Sequence, residues 1–519
     1  MRRSNFFMLF ALSFFAACDA ERLADEVDEA VEFREVYQCA EYNTKIPADE
    51  AGTNTLFGKT MMVTAPFVVD DECRTKYDPV LWGQKGCSIA SQGRWSFWYL
   101  MQQMAGDTPT AEFTMRLLET FEAPPDTLKI NNVALEQRGL IRNLVIKPWR
   151  EASGCNGDSK WDQQPCPNLK PEFAPLRLLA IANRIDLRPN GSEISPYINL
   201  PDAAKTAGEG RFVFGFVELK APYNNMQASQ KLDEAGAKEA QIILEYAMPT
   251  ASKTRISWAK DWLALNVPTT TLIEQEAYKV KLTAITEGFT TKNKFSGRPN
   301  YGNAINNVRT NEIAFQSLNN EKRWSFRQFQ LKCPPQNPNC GTNARQLVNL
   351  QLDQTPLNNH QDSPELLAFL SANEPAILKL AHVVPGFAAN NVPFGAGESF
   401  SRKFNFQFQW AFNSLEQGNI DVLKAADVRR MFAISTCNGC HYHETNTQTN
   451  QHVKNRAKGS ASLLSQFLQR KPLEVFNIPT SDGADSVLFS EPTRRLCELF
   501  HTESGATKTL TLATGHQSL

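Results

Sequence analysis

Alternating side chains in the second half of this 519-residue chain constrain its fold most. Phe404, Phe406, Phe408 and Trp410 form the clearest run of period 2. A strand sends successive side chains to opposite faces, so these four aromatics share one face only in extended backbone. Residues 347–352 alternate in the same way, and Trp324–Lys332 sets Phe326, Phe329 and Leu331 among charged and amide residues. Stretches 176–185, 211–219 and 241–246 are rich in β-branched and aromatic residues and bounded by Gly or Pro, which also reads as strand.

Helical spacing interrupts these strands. Trp95, Trp98, Tyr99, Met101 and Met104 mark a helical region over 94–121, ended by Pro124-Pro125; a Met and Trp stripe of this kind is core. Further helices are expected over 257–264, 271–288 and 364–380, and again at 420–432, 460–468 and 493–500. Mixed order points to an α+β fold, a mostly antiparallel sheet flanked by helices. Four regions follow: a leader at 1–17, a helix-rich part at 18–175, the sheet region at 176–410, and a helical part at 411–519.

The leader has the character of a lipoprotein signal. Arg2 and Arg3 precede an apolar run from Phe6 to Phe15, and Ala16-Ala17 comes directly before Cys18, the expected lipidation site. The run is too short to span a bilayer. The chain is therefore expected to be exported and anchored to a membrane by lipid on Cys18, facing the periplasm or cell surface. An acidic stretch over 19–34 reads as tether or surface helix. A formal net charge of −1 gives no footing for wholesale nucleic-acid binding.

One pentapeptide carries chemistry: Cys437-Asn438-Gly439-Cys440-His441. Cys-x-x-Cys-His is the attachment sequence of c-type haem, with two thiols for the vinyl groups and an adjacent imidazole for the iron. No methionine follows Met431, so the distal ligand would come from His443, His452, His501 or His516, with His452 best spaced. Two other chemistries compete. A zinc ion would take Cys437 and Cys440 with two of His441, His443 and His452, and a plain or redox-active disulfide would join the two cysteines. Between 421 and 471, eight Lys/Arg stand against three Asp/Glu, a balance suited to haem propionates or to a solvated basic face.

Eight further cysteines remain, an even number suited to disulfides in an exported protein. Cys155 with Cys166 and Cys333 with Cys340 bracket short turn-rich segments. Cys73 with Cys87 is similar, leaving Cys39 with Cys497. Two polar groups are weaker candidates: Asn183, Arg184, Asp186 and Arg188 at a strand end, read as an ion-paired edge, and Arg309, Asn311 and Glu312, which line a cleft or bond a loop. No Gly-x-Ser-x-Gly, Walker loop, dinucleotide fingerprint or His-Glu-x-x-His is present, so no catalytic constellation is assigned.

Arg94-Trp-Ser-Phe97, Arg177–Arg188, Gly208–Gly215, Arg309–Ala314, Thr436–His441 with Glu444-Thr445, and His452, Arg456, Gly459 and Ser462–Leu468 together resemble a family of bacterial exported proteins and lipoproteins with a single C-terminal Cys-x-x-Cys-His. The resemblance implies one coherent exported protein and brings no activity with it. Similarity to cytochrome c is local, confined to the motif and its flanking helices. The expected protein is a lipid-anchored binder of one haem c, for electron transfer with a redox partner protein or for sensing a small ligand. The rival is a non-catalytic binding lipoprotein stapled by disulfides, or one with a structural zinc.

Overall fold

The computed structural model describes residues 45–123, 129–135, 137–186, 206–219, 221, 236–249, 252–295, 303–312, 324–332, 346–350, 352–360, 363–378, 382–396, 399–401, 422–437, 439–443, 445, 447, 450–469, 475–480, 483–488 and 490–505. Its centre is an antiparallel sheet of eight strands: β1 (Met62–Val63), β2 (Leu176–Arg184), β3 (Thr206–Glu218), β4 (Gly236–Pro249), β5 (Ile305–Glu312), β6 (Trp324–Lys332), β7 (Gln346–Leu350) and β8 (Ser399–Ser401). The spatial order is β1-β2-β3-β4-β5-β6, with β7 and β8 sharing the far edge of β6. The α+β class expected from the alternation is therefore the one observed. The run Phe404–Trp410 lies outside the described residues.

Register separates the two faces of this sheet. Ile181, Phe212, Leu244, Val308 and Phe329 are direct cross-strand partners in one row over five strands. Neighbouring rows on the opposite face are Ala182-Arg211-Glu245-Asn307, Val213-Ile243-Arg309-Gln328 and Gly215-Gln241-Asn311-Phe326. The apolar face meets helices. Phe97 of α1 (Phe97–Ala105) packs edge-on against Phe214, while Phe121 of α2 (Thr110–Glu122) packs tilted against Phe329 and Phe289 of α4 (Leu272–Thr290) tilted against Phe212 and Tyr246. Between α2 and α4, α3 (Arg255–Leu263) sets Trp258 against Phe289 and donates its indole N–H to Asn183. Offset and edge-on rings of this kind add to the area they bury.

Local chemistry explains the boundaries. The single helix expected over 94–121 is two, because Gly106 sits at φ 62°, a backbone that glycine adopts without strain. Ser96 caps α1 through Tyr99 N–H, and Thr271 with Glu274 makes a capping box on α4. The remaining described helices include α5 (Pro364–Leu378), α6 (Val422–Ser435) and α7 (Glu491–Glu503). The helix expected over 460–468 does not form. Lys454 N–H bonds Leu463 O at 2.8 Å and Ser465 N–H bonds His452 O at 2.7 Å, an antiparallel pairing followed by one short turn, Gln466–Leu468. A long-range ladder has outcompeted the apolar spacing of Leu463, Leu464 and Phe467. The C-terminal part also contains a two-stranded hairpin, Val475–Thr480 with Gly483–Leu488.

Two of the expected disulfides are present, Cys73–Cys87 and Cys155–Cys166, with Cα separations of 5.5 and 5.9 Å. Cys497 is also disulfide-bonded, to a partner outside the described residues. Cys18, Cys39, Cys333 and Cys340 lie outside them as well, so those pairings carry no structural finding. Among the described residues no helix is long and apolar enough to cross a membrane.

Candidate functional site at the Cys-x-x-Cys-His motif

The motif is held where α6 runs out. Thr436 turns its hydroxyl back to Ala433 O, accepts Gly439 N–H at 3.0 Å, and gives its carbonyl to Cys440 N–H at 2.9 Å. The chain then widens into a π-helical turn, Gly439–His443. Gly439 is required by this approach, because a Cβ there would stand 1.9 Å from Ala433 O. Cys437 N–H is anchored on the Thr355 hydroxyl at 2.8 Å.

A single cross-strand row receives the segment that follows. Gly215 leaves room for the Asn455 amide, which a Cβ would meet at 2.5 Å; Gln241 donates to Val453 O; Asn311 donates to Asn450 O at 3.1 Å. Phe326 ends the row against the His441 ring, with centroids 5.1 Å apart, and Trp324 covers the same ring at 5.2 Å. Arg456 fastens the far end of the segment to Asp70 and to the carbonyls of Val69 and Leu178.

Three sequence-predicted residues, Cys440, His441 and His452, converge. Cys440 is buried, Cys437 is partly exposed, and neither enters a disulfide. His452 Nε2 lies 3.6 Å from Cys440 Sγ, and the His441 and His452 rings are 4.7 Å apart. His452 Nδ1 meets the Ser465 hydroxyl at 2.8 Å, and Phe467 packs on its ring. His441 Nδ1 lies 3.1 Å from Asn450 O. Burial pushes His441 down to about 4, helped by the positive charge of Arg309, so its ring is neutral at pH 7. A carbonyl only accepts, so Nδ1 carries the proton and Nε2 presents a bare lone pair.

The other candidates separate from this cluster. The side chain of His443 and all of His516 lie outside the described residues. His501 is on α7, a helix tied by Arg494 to Asp186 of the strand end after β2. Phe432, on α6 five residues before Cys437, packs on Phe369 and His382. Arg184 and Asp186 form the buried ion pair expected at the strand edge; Arg188 is outside the described residues. Glu312 faces the helices and pairs with Arg138, while Arg309 pairs with Glu245. Trp324, Asn450 and Ser465 were not foreseen at the site: an aromatic on a strand, a turn Asn and a loop Ser carry no signal of their own until register places them. Comparison with known protein families, curated proteins and solved structures finds no match.

Proposed function

We propose that this is an exported lipoprotein, anchored through Cys18, that carries one haem c on Cys437 and Cys440 with His441 as proximal ligand and His452 as distal ligand. The observation that carries the reading is the locked His441 tautomer, a neutral ring with its Nδ1–H given to a backbone carbonyl and Nε2 left as a lone pair. Metal-ligating histidines are oriented by such a bond on the other nitrogen. Two thiols kept outside any disulfide, in a chain that forms disulfides elsewhere, agree with it. Trp324 and Phe326 lie on the His441 ring and Phe467 on the His452 ring, with Cys440 buried and Cys437 half-buried against the core, so a macrocycle enters only if these contacts part. Cys440 and His452 touch, so attachment requires that contact to open. Haem would supply a one-electron centre or an open face for a small ligand; the protein's own part is to fix the imidazoles and exclude water. With both imidazoles on the iron, electron transfer to a redox partner is the favoured role.

The zinc reading has one observation of its own. Ligands at about 2.3 Å (S) and 2.0–2.1 Å (N) on a tetrahedral ion lie about 3.6 Å apart, the separation found between Cys440 and His452. Among the described residues no three His, Cys, Asp or Glu side chains are grouped as a metal-ion set.

The test is absorbance of protein matured with periplasmic haem-attachment machinery. A Soret band that survives acid–acetone extraction, and is lost in the Cys437→Ser/Cys440→Ser variant, supports the haem; a colourless wild type containing stoichiometric zinc overturns it for the rival. Cys18→Ser should leave the membrane fraction; unchanged fractionation would remove the anchor from the proposal.

A further inference from the structure

The carbonyl that orients His441 has a second donor. Asn311, on β5 and fully buried, gives its Nδ2–H to Asn450 O at 3.1 Å, the same distance at which His441 Nδ1–H reaches that oxygen. Asn311 cannot be turned the other way. Its Oδ1 accepts the indole N–H of Trp324 at 2.8 Å, and an indole nitrogen only donates. The chain Trp324–Asn311–Asn450–His441 therefore has one possible direction, fixed by a pure donor at one end and a pure acceptor in the middle. Asn450 is held for this purpose at φ 55°, the left-handed region that Asn enters more readily than other side chains. Strain at such a point marks a place the surrounding structure over-determines. All four residues are buried.

We infer that Asn311 is a positioning residue that sets the basicity of His441 by sharing its hydrogen-bond acceptor. A carbonyl oxygen that serves two donors serves each less strongly. With Asn311 in place, His441 keeps more of its Nδ1 proton and is a weaker electron donor through Nε2. Without Asn311, the Nδ1–H···O bond tightens and the ring gains imidazolate character, which raises ligand basicity. On a redox metal this favours the oxidised state, so the wild-type arrangement holds the potential up. Trp324 acts one step further out, by keeping the Asn311 amide turned toward Asn450.

The inference rests on His441 being a ligand, as proposed above, but its test is read on the imidazole itself. The full-length chain is labelled with ¹⁵N-histidine, and the Nδ1–H resonance of His441 is assigned by its absence in His441→Asn. Asn311→Leu and Asn311→Asp both remove the donor, one by an apolar and one by an isosteric carboxylate side chain. Both should move the Nδ1–H proton downfield, and Trp324→Phe should move it the same way by less. In haem-loaded protein the midpoint potential should fall in the same order while haem content stays constant. A Nδ1–H resonance unmoved in both Asn311 variants, or moved upfield, overturns the sharing. Failure of the haem reading shows separately, as wild-type protein without covalent haem, and the imidazole resonance then still decides for or against Asn311.

Discussion

Replacing Arg456 by Met should detach the motif segment from the N-terminal part of the fold. The guanidinium is 1% exposed and reaches five oxygens: Asp70 Oδ2 at 2.8 Å, Val69 O at 2.9 Å, Leu178 O at 2.8 Å, Ser460 O at 3.1 Å and Ala457 O at 3.2 Å. Breaking one side of a buried charge pair costs about 3–5 kcal/mol, and each stranded buried carbonyl adds about 1–3 kcal/mol. Asp70 offsets part of this, because it keeps the Gly459 N–H at 2.8 Å and is 16% exposed. Methionine also refills most of the volume. The expected loss is therefore near the low end, about 3 kcal/mol. For a urea m of about 3 kcal/mol/M, the top of the range for small proteins, the midpoint of tryptophan fluorescence should fall by roughly 1 M. Arg456→Lys keeps the charge but replaces a planar fork by one point donor, and should lose about half as much. A double cycle with Asp70→Asn should give a coupling of about 1–2 kcal/mol, as expected for groups in contact. A midpoint lowered by less than about 0.3 M in Arg456→Met, with no coupling to Asp70, would refute the clasp.

Gly439→Ala should cost about 1–3 kcal/mol or more, because its Cβ would meet Ala433 O at 1.9 Å and backbone must give way; haem or metal content measured beside stability should drop with it. Non-reducing peptide mapping should recover Cys73–Cys87 and Cys155–Cys166, and Cys155→Ser should lose on the order of 3 kcal/mol for a closed loop of this size. Burial pushes the neutral ring of His382 down to about 4. The unfolded chain therefore binds a proton first, and stability present above pH 6.5 is lost as pH falls toward 4; the slope of unfolding free energy over that window should shrink in His382→Phe. Burial raises the Glu72 carboxyl, but bonds from Lys458 and Lys85 outweigh it and hold the group at about 2. Its contribution is complete above about pH 4.5 and fades as pH falls toward 2, so Lys458→Met should flatten stability in acid, and an unchanged acid limb would sink that pairing.

Local patterns determined the α+β class of this protein. Alternation over Trp324–Lys332 and the β-branched stretches before it named strands, because period 2 is a property of extended backbone alone. Cys437, Cys440 and His441 stand together by spacing alone, whereas His452 comes within reach of Cys440 only because the fold brings it there. The short disulfide loops Cys73–Cys87 and Cys155–Cys166 were legible for the same reason, their ends being close in sequence. Register was not legible. Gly215, Gln241, Asn311 and Phe326 are ordinary residues of four different strands, and only the pairing of β3 through β6 makes them one row that receives His441, Asn450, Val453 and Asn455. The apolar spacing of 460–468 reads as helix because it is local, whereas its pairing partner at His452–Lys454 is reached only through the turn between them. Asn450 likewise became the hinge of the site through a carbonyl, a group every residue carries. What it accepts depends on which donors tertiary packing brings within 3.1 Å.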